Sequence, residues 1–215
     1  MKKINFLKSI KNQKRKITYR KNYKNKKIIS LAKKFGKEYF DGKRIYGYGG
    51  YYYDSRWKKV ARDFIKYYKL KPGDRILDIG CAKGFLVKEF LDKKIDVYGI
   101  DISDYAIKKC HKDVVSRVSI GDAKKLPYPD NSFKLVISIN TIHNLNKKNC
   151  VKAIKEIMRI SYKHAYIQVD AYRNLKEKKI FQDWVLTAKY HDYCKNWENL
   201  FKKNNYNGEY YWTFV

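Results

Sequence analysis

Residues 71–91 constrain this chain more than any other stretch. Lys71-Pro72-Gly73-Asp74 reads as a turn, and Arg75-Ile76-Leu77-Asp78-Ile79 after it carries the short apolar run of a buried parallel strand. Gly80-Cys81-Ala82-Lys83-Gly84 follows, where two glycines let the backbone turn sharply and come close to a ligand. Phe85 to Lys93 then reads as a helix, with Phe85, Leu86, Phe90 and Leu91 on its inner stripe. Strand, glycine loop and helix in that order predict a nucleotide-type site at the carboxyl edge of an α/β sheet.

The spacing separates two kinds of site. A dinucleotide loop, G-x-G-x-x-G, would need glycines at 80, 82 and 85, where Ala82 and Phe85 stand. An acidic residue two before the first glycine, then G-x-x-x-G, resembles motif I (D-x-G-x-G-x-G) of the class I S-adenosylmethionine-dependent methyltransferases, with Ala82 in place of the middle glycine. The units that follow extend the resemblance. A second strand, Val97 to Ile100, ends at Asp101, where nucleotide folds place an acid that accepts from the ribose hydroxyls. Ser103 caps a helix over 104–112. A third strand, Val114 to Ile120, ends at Gly121-Asp122-Ala123, where the resemblance implies a carboxylate for the adenine amino group and backbone for the ring. Leu126 to Phe133 matches the family's loop into a fourth strand, 135–139, although Lys134 stands where the family often has Asp. That strand ends at Asn140, and a helix over Val151, Ile154, Ile157 and Met158 leads to a fifth strand, 165–169, ending at Asp170.

The resemblance covers roughly residues 57–170. It implies a doubly wound, mostly parallel, seven-strand-type α/β sheet and S-adenosylmethionine as cofactor. It also implies a cofactor-binding set of Asp78, Gly80, Cys81, Ala82, Gly84, Asp101, Ile102, Asp122, Ala123 and Asn140, with no metal. The family usually ends in an antiparallel strand pair. Past Asp170 we expect helices over 181–186 and from 196, and a single last strand over 208–215, which leaves the second member of that pair unassigned.

Three segments complete the expected organisation: a basic leader over 1–37, partly disordered or loosely helical, a Tyr/Gly-rich stretch over 38–56, and substrate-side elements over 171–215. Residues 38–215 would form the methyltransferase domain. Four of the eleven glycines and six tyrosines fall between 38 and 56. Glycines break regular structure and tyrosines give rigid amphipathic contact, so this stretch suits a lid over an acceptor pocket. It is loosely similar to segments of bacterial methyltransferases from surface-polysaccharide pathways. Tyr51 and Tyr52 are its candidates for orienting an acceptor, and Arg56 for pairing with an acceptor carboxylate. Trp57, Val60, Ala61, Phe64, Ile65 and Tyr68 fall on one face of the next helix.

Net charge is +29, and residues 1–37 hold fifteen Lys and Arg with no Asp or Glu. A basic arm of this kind can bind nucleic acid or an anionic membrane surface. The abundance of Lys, Asn, Ile and Tyr equally fits a compositional origin, so a nucleic-acid partner through residues 1–37 is left open and not favoured. No motif lies in residues 1–34, so they should be dispensable for cofactor binding. No apolar run approaches the ~18 residues of a membrane span, and no apolar core follows the basic start as in a secretory signal. The four scattered cysteines read as free thiols in a reducing compartment, hence a cytoplasmic protein.

Methyl transfer from a sulfonium needs an aligned nucleophile and, for some acceptors, a base. His143, three residues after Asn140, is the first candidate base, with loop packing as its competing role; His191 is the second. The expected activity is methyl transfer to an O or N of a small-molecule acceptor, with a sugar or phosphorylated surface-glycan precursor as a candidate. The alternatives are RNA methylation and a non-catalytic binding subunit of the same fold. The strand-four tip Asn140-Thr141-Ile142-His143 lacks the N-P-P-Y of nucleobase amino-methylases and the Asp of the ribose-methylase tetrad.

Overall fold

The computed structural model describes residues 1–10 and 17–215. In chain order the elements are β1 (Lys2–Lys3), α1 (Ile17–Tyr23), α2 (Lys26–Lys33), α3 (Lys37–Phe40), α4 (Trp57–Tyr68), β2 (Arg75–Ile79), α5 (Phe85–Leu91), β3 (Asp96–Asp101), α6 (Asp104–Lys108), β4 (Val118–Ile120), β5 (Phe133–Ile139), α7 (Lys147–Ile160), β6 (Ser161–Tyr172), α8 (Leu175–Trp184), β7 (Asp192–Tyr193), α9 (Cys194–Lys203) and β8 (Glu209–Thr213).

The apolar runs at 76–79, 97–100, 135–137 and 165–169 leave no polar face, so these strands need cover on both sides. They form one parallel sheet in the order β1-β8-β6-β5-β2-β3-β4, with β7 pairing the end of β6. One apolar cluster, which includes Ile154, Ile157, Trp197 and Phe201, covers the α7 and α9 face. A second, which includes Val60, Phe64, Leu86 and Phe90, covers the α4 and α5 face. Strand order reverses between β2 and β5, and a crevice opens at their carboxyl ends, where Gly80 and Asn140 sit.

Two local expectations are refined. The third strand begins only at Val118, because Lys112–Val114 is a 3₁₀ turn that tucks Val114 beneath Gly84. The helix expected over 181–186 is α8, which starts at Leu175 behind an Asn174 cap. Lys134, unexplained by the family pattern, donates to Asp74 at 2.6 Å and ties β5 to the turn before β2.

The far edge of the sheet differs from the family pattern. β8 runs parallel to β6, with Tyr166 opposite Glu209 and Asp170 opposite Thr213, because the chain crosses over through α8 and α9 before re-entering the sheet. β1 adds outside β8, also parallel, with Lys2 opposite Glu209, and Ile4 N–H donates to the Tyr210 carbonyl at 2.9 Å. The edge thus comes from the chain's first residues.

The basic leader is therefore not loose in its described parts. Phe6 is buried, stacks on Phe64 at 4.0 Å between ring centres and meets Tyr166 edge-on at 4.9 Å. Arg20 is buried too, its guanidinium 3.9 Å over the Trp184 ring, donating to the Arg44 and Gly47 carbonyls. Asn25 caps α2, which packs Ile28 and Ala32 against Leu186. Residues 11–16 of the leader lie outside the described residues.

Candidate cofactor and acceptor site

The glycine loop follows β2 in the left-handed conformation that its spacing demands. Gly80 has φ +78°, and a Cβ there would lie 2.0 Å from Thr141 Oγ1, so only glycine fits. Ala82 also has a positive φ, 51°, a conformation costly for a residue with a Cβ. Ala82→Gly should therefore stabilise the fold by about 0.5–1 kcal/mol, the steric relief partly offset by glycine's chain entropy. Urea unfolding measures this; a loss of stability would show that the Ala82 methyl packs better than its backbone strain costs.

Asp101, at the end of β3, holds this loop. One carboxylate oxygen accepts from Ala82 N–H and the other from Ser103 N–H, both at 2.8 Å. Ser103 Oγ in turn caps α6. Asp122, after β4, accepts from Lys124 N–H and pairs with the Lys124 ammonium at 3.0 Å. Asp78 differs from both. It is 4% exposed and takes no hydrogen bond or ion pair among the described residues. Burial first, then the Asp101 charge, push its carboxyl up to about 7.

Two cavities open over the strand ends. One, about 370 Å³, is lined by Asp101, Ile102, Asp122 and Ala123, by Lys33, Lys34 and Phe35 at the end of α2, and by Asn144 and Leu145. The other, about 550 Å³, is lined by Asp78, Cys81, Tyr51, Arg56, Trp57 and Gln168, by Asn5 to Ile10 in part, and by the last residues of β8. They meet at Tyr48, Gly80, Ala82, Ile139 and Asn140. Asn140 sits there with φ +53°, its side-chain oxygen accepting from the Thr213 hydroxyl at 2.8 Å. Thr213 accepts from Gln168 at 2.9 Å, and Gln168 from the Tyr166 hydroxyl at 2.7 Å. This relay fixes the strand ends around the junction.

Nine of the ten residues that the resemblance implies for the cofactor line these cavities. Gly84 does not; at φ +72° it begins α5 and packs against Val114. Of the acceptor candidates, Tyr51 and Arg56 line the larger cavity, and Arg56 is already engaged by Asp54 at 2.8 Å. Tyr52 points away, 70% exposed, with the Lys83 ammonium 5.8 Å from its ring centre. Lys33 to Phe35 wall the smaller cavity, so a deletion of residues 1–34, expected to leave cofactor binding unchanged, would remove part of that wall.

Neither candidate base lines either of these two cavities. His143 is buried behind the strand-five tip, its Nδ1 accepting from Asp170 N–H at 3.0 Å and its Nε2 3.5 Å from the Asp170 carboxylate. Its carbonyl accepts from Lys189 and Tyr190 N–H. Burial lowers its pKa against the pull of Asp170, so the neutral ring braces the loop to β6. His191 packs between Tyr172 and Phe181; burial first, then the Lys178 charge, lower its pKa.

The Tyr/Gly stretch is docked by an interaction that the sequence did not announce. The Lys83 ammonium, within the glycine loop, pairs with both oxygens of Asp41 at 2.7 Å and donates to the Tyr51 carbonyl at 3.0 Å. Tyr105 also donates to Asp41, and Tyr51 stacks on Phe85 at 5.0 Å. Tyr48 and Tyr51 are thereby held against the junction. The only sequence signal was a lysine in a loop otherwise made of small residues.

Residues 77–169 match the profile of the family described as "Methyltransferase domain". The matched stretch is thus a methyltransferase domain with the class I Rossmann-like fold, and S-adenosylmethionine is the cofactor that this domain indicates. The chain is similar to phosphoethanolamine N-methyltransferase 3 of Arabidopsis thaliana, 30% identical over 113 residues, 49% of this chain and 22% of that protein. A demethylmenaquinone methyltransferase of Renibacterium salmoninarum is 30% identical over 108 residues, 49% of this chain and 43% of that protein. The match thus spans less than half of either relative. In fold, a SAM-dependent methyltransferase from Archaeoglobus fulgidus superposes with a TM-score of 0.57 at 21% identity, covering 68% of this chain and 66% of that one. Among the described residues no helix is long and apolar enough to cross a membrane.

Proposed function

We propose that this protein transfers the methyl group of S-adenosylmethionine to an O or N of a small-molecule acceptor. The observation that carries the reading is the buried, partnerless carboxylate of Asp78 beside the cavity junction, with Asp101 and Asp122 at the next two strand ends. A buried carboxylate without a partner is costly and calls for a cation. The ammonium of the cofactor's amino-acid end supplies one. Asp101 would take the ribose hydroxyls, Asp122 the adenine amino group, and the smaller cavity the adenosine. When bound, the cofactor supplies an activated methyl group on a sulfonium.

The chain's own contribution is placement. With adenosine in the smaller cavity and the amino-acid end at Asp78, the junction formed by Tyr48, Ala82 and Asn140 holds the reacting centre. The larger cavity then receives the acceptor, with Tyr51 and Trp57 among its walls. Alignment of a nucleophile with the transferring methyl group supplies the acceleration, and His143 acts through the loop it braces. The relatives that act on phosphoethanolamine and demethylmenaquinone support a small acceptor. The test is calorimetry with S-adenosylhomocysteine. We expect one site per chain, and no binding at millimolar concentration would refute the reading.

The Asp78 pKa gives this reading a pH signature. In the unfolded chain an aspartate ionises near pH ~4. The cofactor-free folded protein holds that proton up to about pH 7, so it binds more protons than the unfolded chain in between. Asp78 thus favours the fold below the unfolded pKa, and this contribution is lost as pH rises through the folded pKa. Melting temperatures from pH 4 to 8 should show a fall that Asp78→Asn flattens, leaving the variant the more stable above about pH 7. Near neutrality, binding a cation at Asp78 should also release a proton, read from calorimetry in buffers of different ionisation enthalpy. Identical pH profiles for both proteins would show that Asp78 ionises normally.

A further inference from the structure

The larger cavity has an unusual wall. Phe6, locked between Phe64 and Tyr166, pins the segment after β1 across the carboxyl end of the sheet. Asn5 Oδ1 accepts from Leu7 N–H at 2.9 Å, Ile10 N–H donates to the Leu7 carbonyl at 3.0 Å, and Lys8 in this turn lines the cavity. The aromatic residues Tyr48, Tyr51, Trp57, Tyr211 and Phe214 line the same cavity.

Among the described residues three charged side chains line this cavity: Lys8, Arg56 and Asp78. Asp54 already engages Arg56 through two 2.8 Å contacts to its Nε. Asp78 is taken by the cofactor's ammonium on the reading above. Lys8 has no ion pair among the described residues, and the sequence from 1 to 37 contains no acid to give it one nearby. The polar end of Gln168 is committed to Tyr166 and Thr213. Among the described residues the cavity therefore offers one uncommitted cation, Lys8, beside aromatic walls. That charge draws anions and repels cations.

We propose that the acceptor is a ring-bearing small molecule with a phosphate or carboxylate group, its ring held by the aromatic walls and its anion by Lys8. This rests on the methyl-transfer reading and adds the acceptor's chemical class.

The test uses the full chain saturated with S-adenosylhomocysteine and four probes: phenyl phosphate, benzoate, benzyl alcohol and benzylamine. Calorimetry should show phenyl phosphate or benzoate binding at least about tenfold more tightly than the neutral and cationic rings, as a charge-assisted contact gives. The tighter of the two anions identifies the acidic group. Lys8→Gln should remove most of that preference and Lys8→Arg restore it, with S-adenosylhomocysteine affinity unchanged in both. Glucose 1-phosphate should bind more weakly than phenyl phosphate. The proposal is overturned if benzyl alcohol or benzylamine binds as tightly as the anions, if no anion binds, if Lys8→Gln leaves the preference intact, or if glucose 1-phosphate matches phenyl phosphate. Because S-adenosylhomocysteine binding is read in the same samples, its loss in the wild-type protein identifies failure of the methyl-transfer reading instead.

Discussion

Phe6→Ala should cost the fold about 3–5 kcal/mol, the range for emptying a buried aromatic site. Phe6 is 3% exposed and contacts four aromatic rings among the described residues: Phe64 stacked at 4.0 Å, Tyr166 edge-on at 4.9 Å, Tyr67 edge-on at 5.4 Å and Tyr68 tilted at 5.7 Å. These rings belong to α4 and β6 and cannot close the gap without moving the sheet's covering layer. β1 contributes only two residues of pairing, so the aromatic plug holds it in place more than its backbone bonds do. Urea unfolding gives the cost. Affinity for S-adenosylhomocysteine under native conditions should change little, because residues 1–10 line the larger cavity and not the smaller one proposed for the adenosine. A loss below about 1 kcal/mol would mean that the segment is not seated as a core element.

Asp101→Ala should weaken S-adenosylhomocysteine at least about tenfold. On the proposed placement of the ribose at Asp101, two charge-assisted bonds would be lost, each worth roughly 1.5–3 kcal/mol. The same carboxylate accepts from Ala82 and Ser103 N–H, so its removal also frees the glycine loop. That second loss places the expected effect above the minimum. The fold should survive, because Ser103 Oγ still caps α6 through Ala106 N–H and β3 stays paired on both sides. Calorimetry decides it; wild-type affinity in the variant would mean that the ribose is held elsewhere. The Tyr51 wall offers a contrast within the same chain. It lines the larger cavity, proposed for the acceptor, and not the smaller one, so its removal should alter acceptor turnover before cofactor affinity.

The sequence by itself determined the sheet's centre and the cofactor edge. Asp78, Asp101 and Asp122 each lie within a few residues of a short apolar run, and a parallel strand puts its carboxyl end at the site whatever the rest of the chain does. Gly80 was legible because its left-handed turn is a local demand, and Ser103 because a helix cap is local too. Only the tertiary structure decided how the distant segments meet that edge. β1 is a Lys-Lys pair with no apolar period to mark it as a strand, and it exists because β8 offers an open edge and Phe6 a place to anchor. The Lys83–Asp41 pair spans 42 residues, and its partners are ordinary surface types until the fold encloses them. His143 and Tyr52 illustrate the converse. Both looked like site residues by position, but side-chain direction is set by packing, which turned one ring onto Asp170 and the other into solvent. Local chemistry fixes what can bind at the strand ends, and long-range packing of the leader and the tyrosine stretch sets which acceptor can reach it.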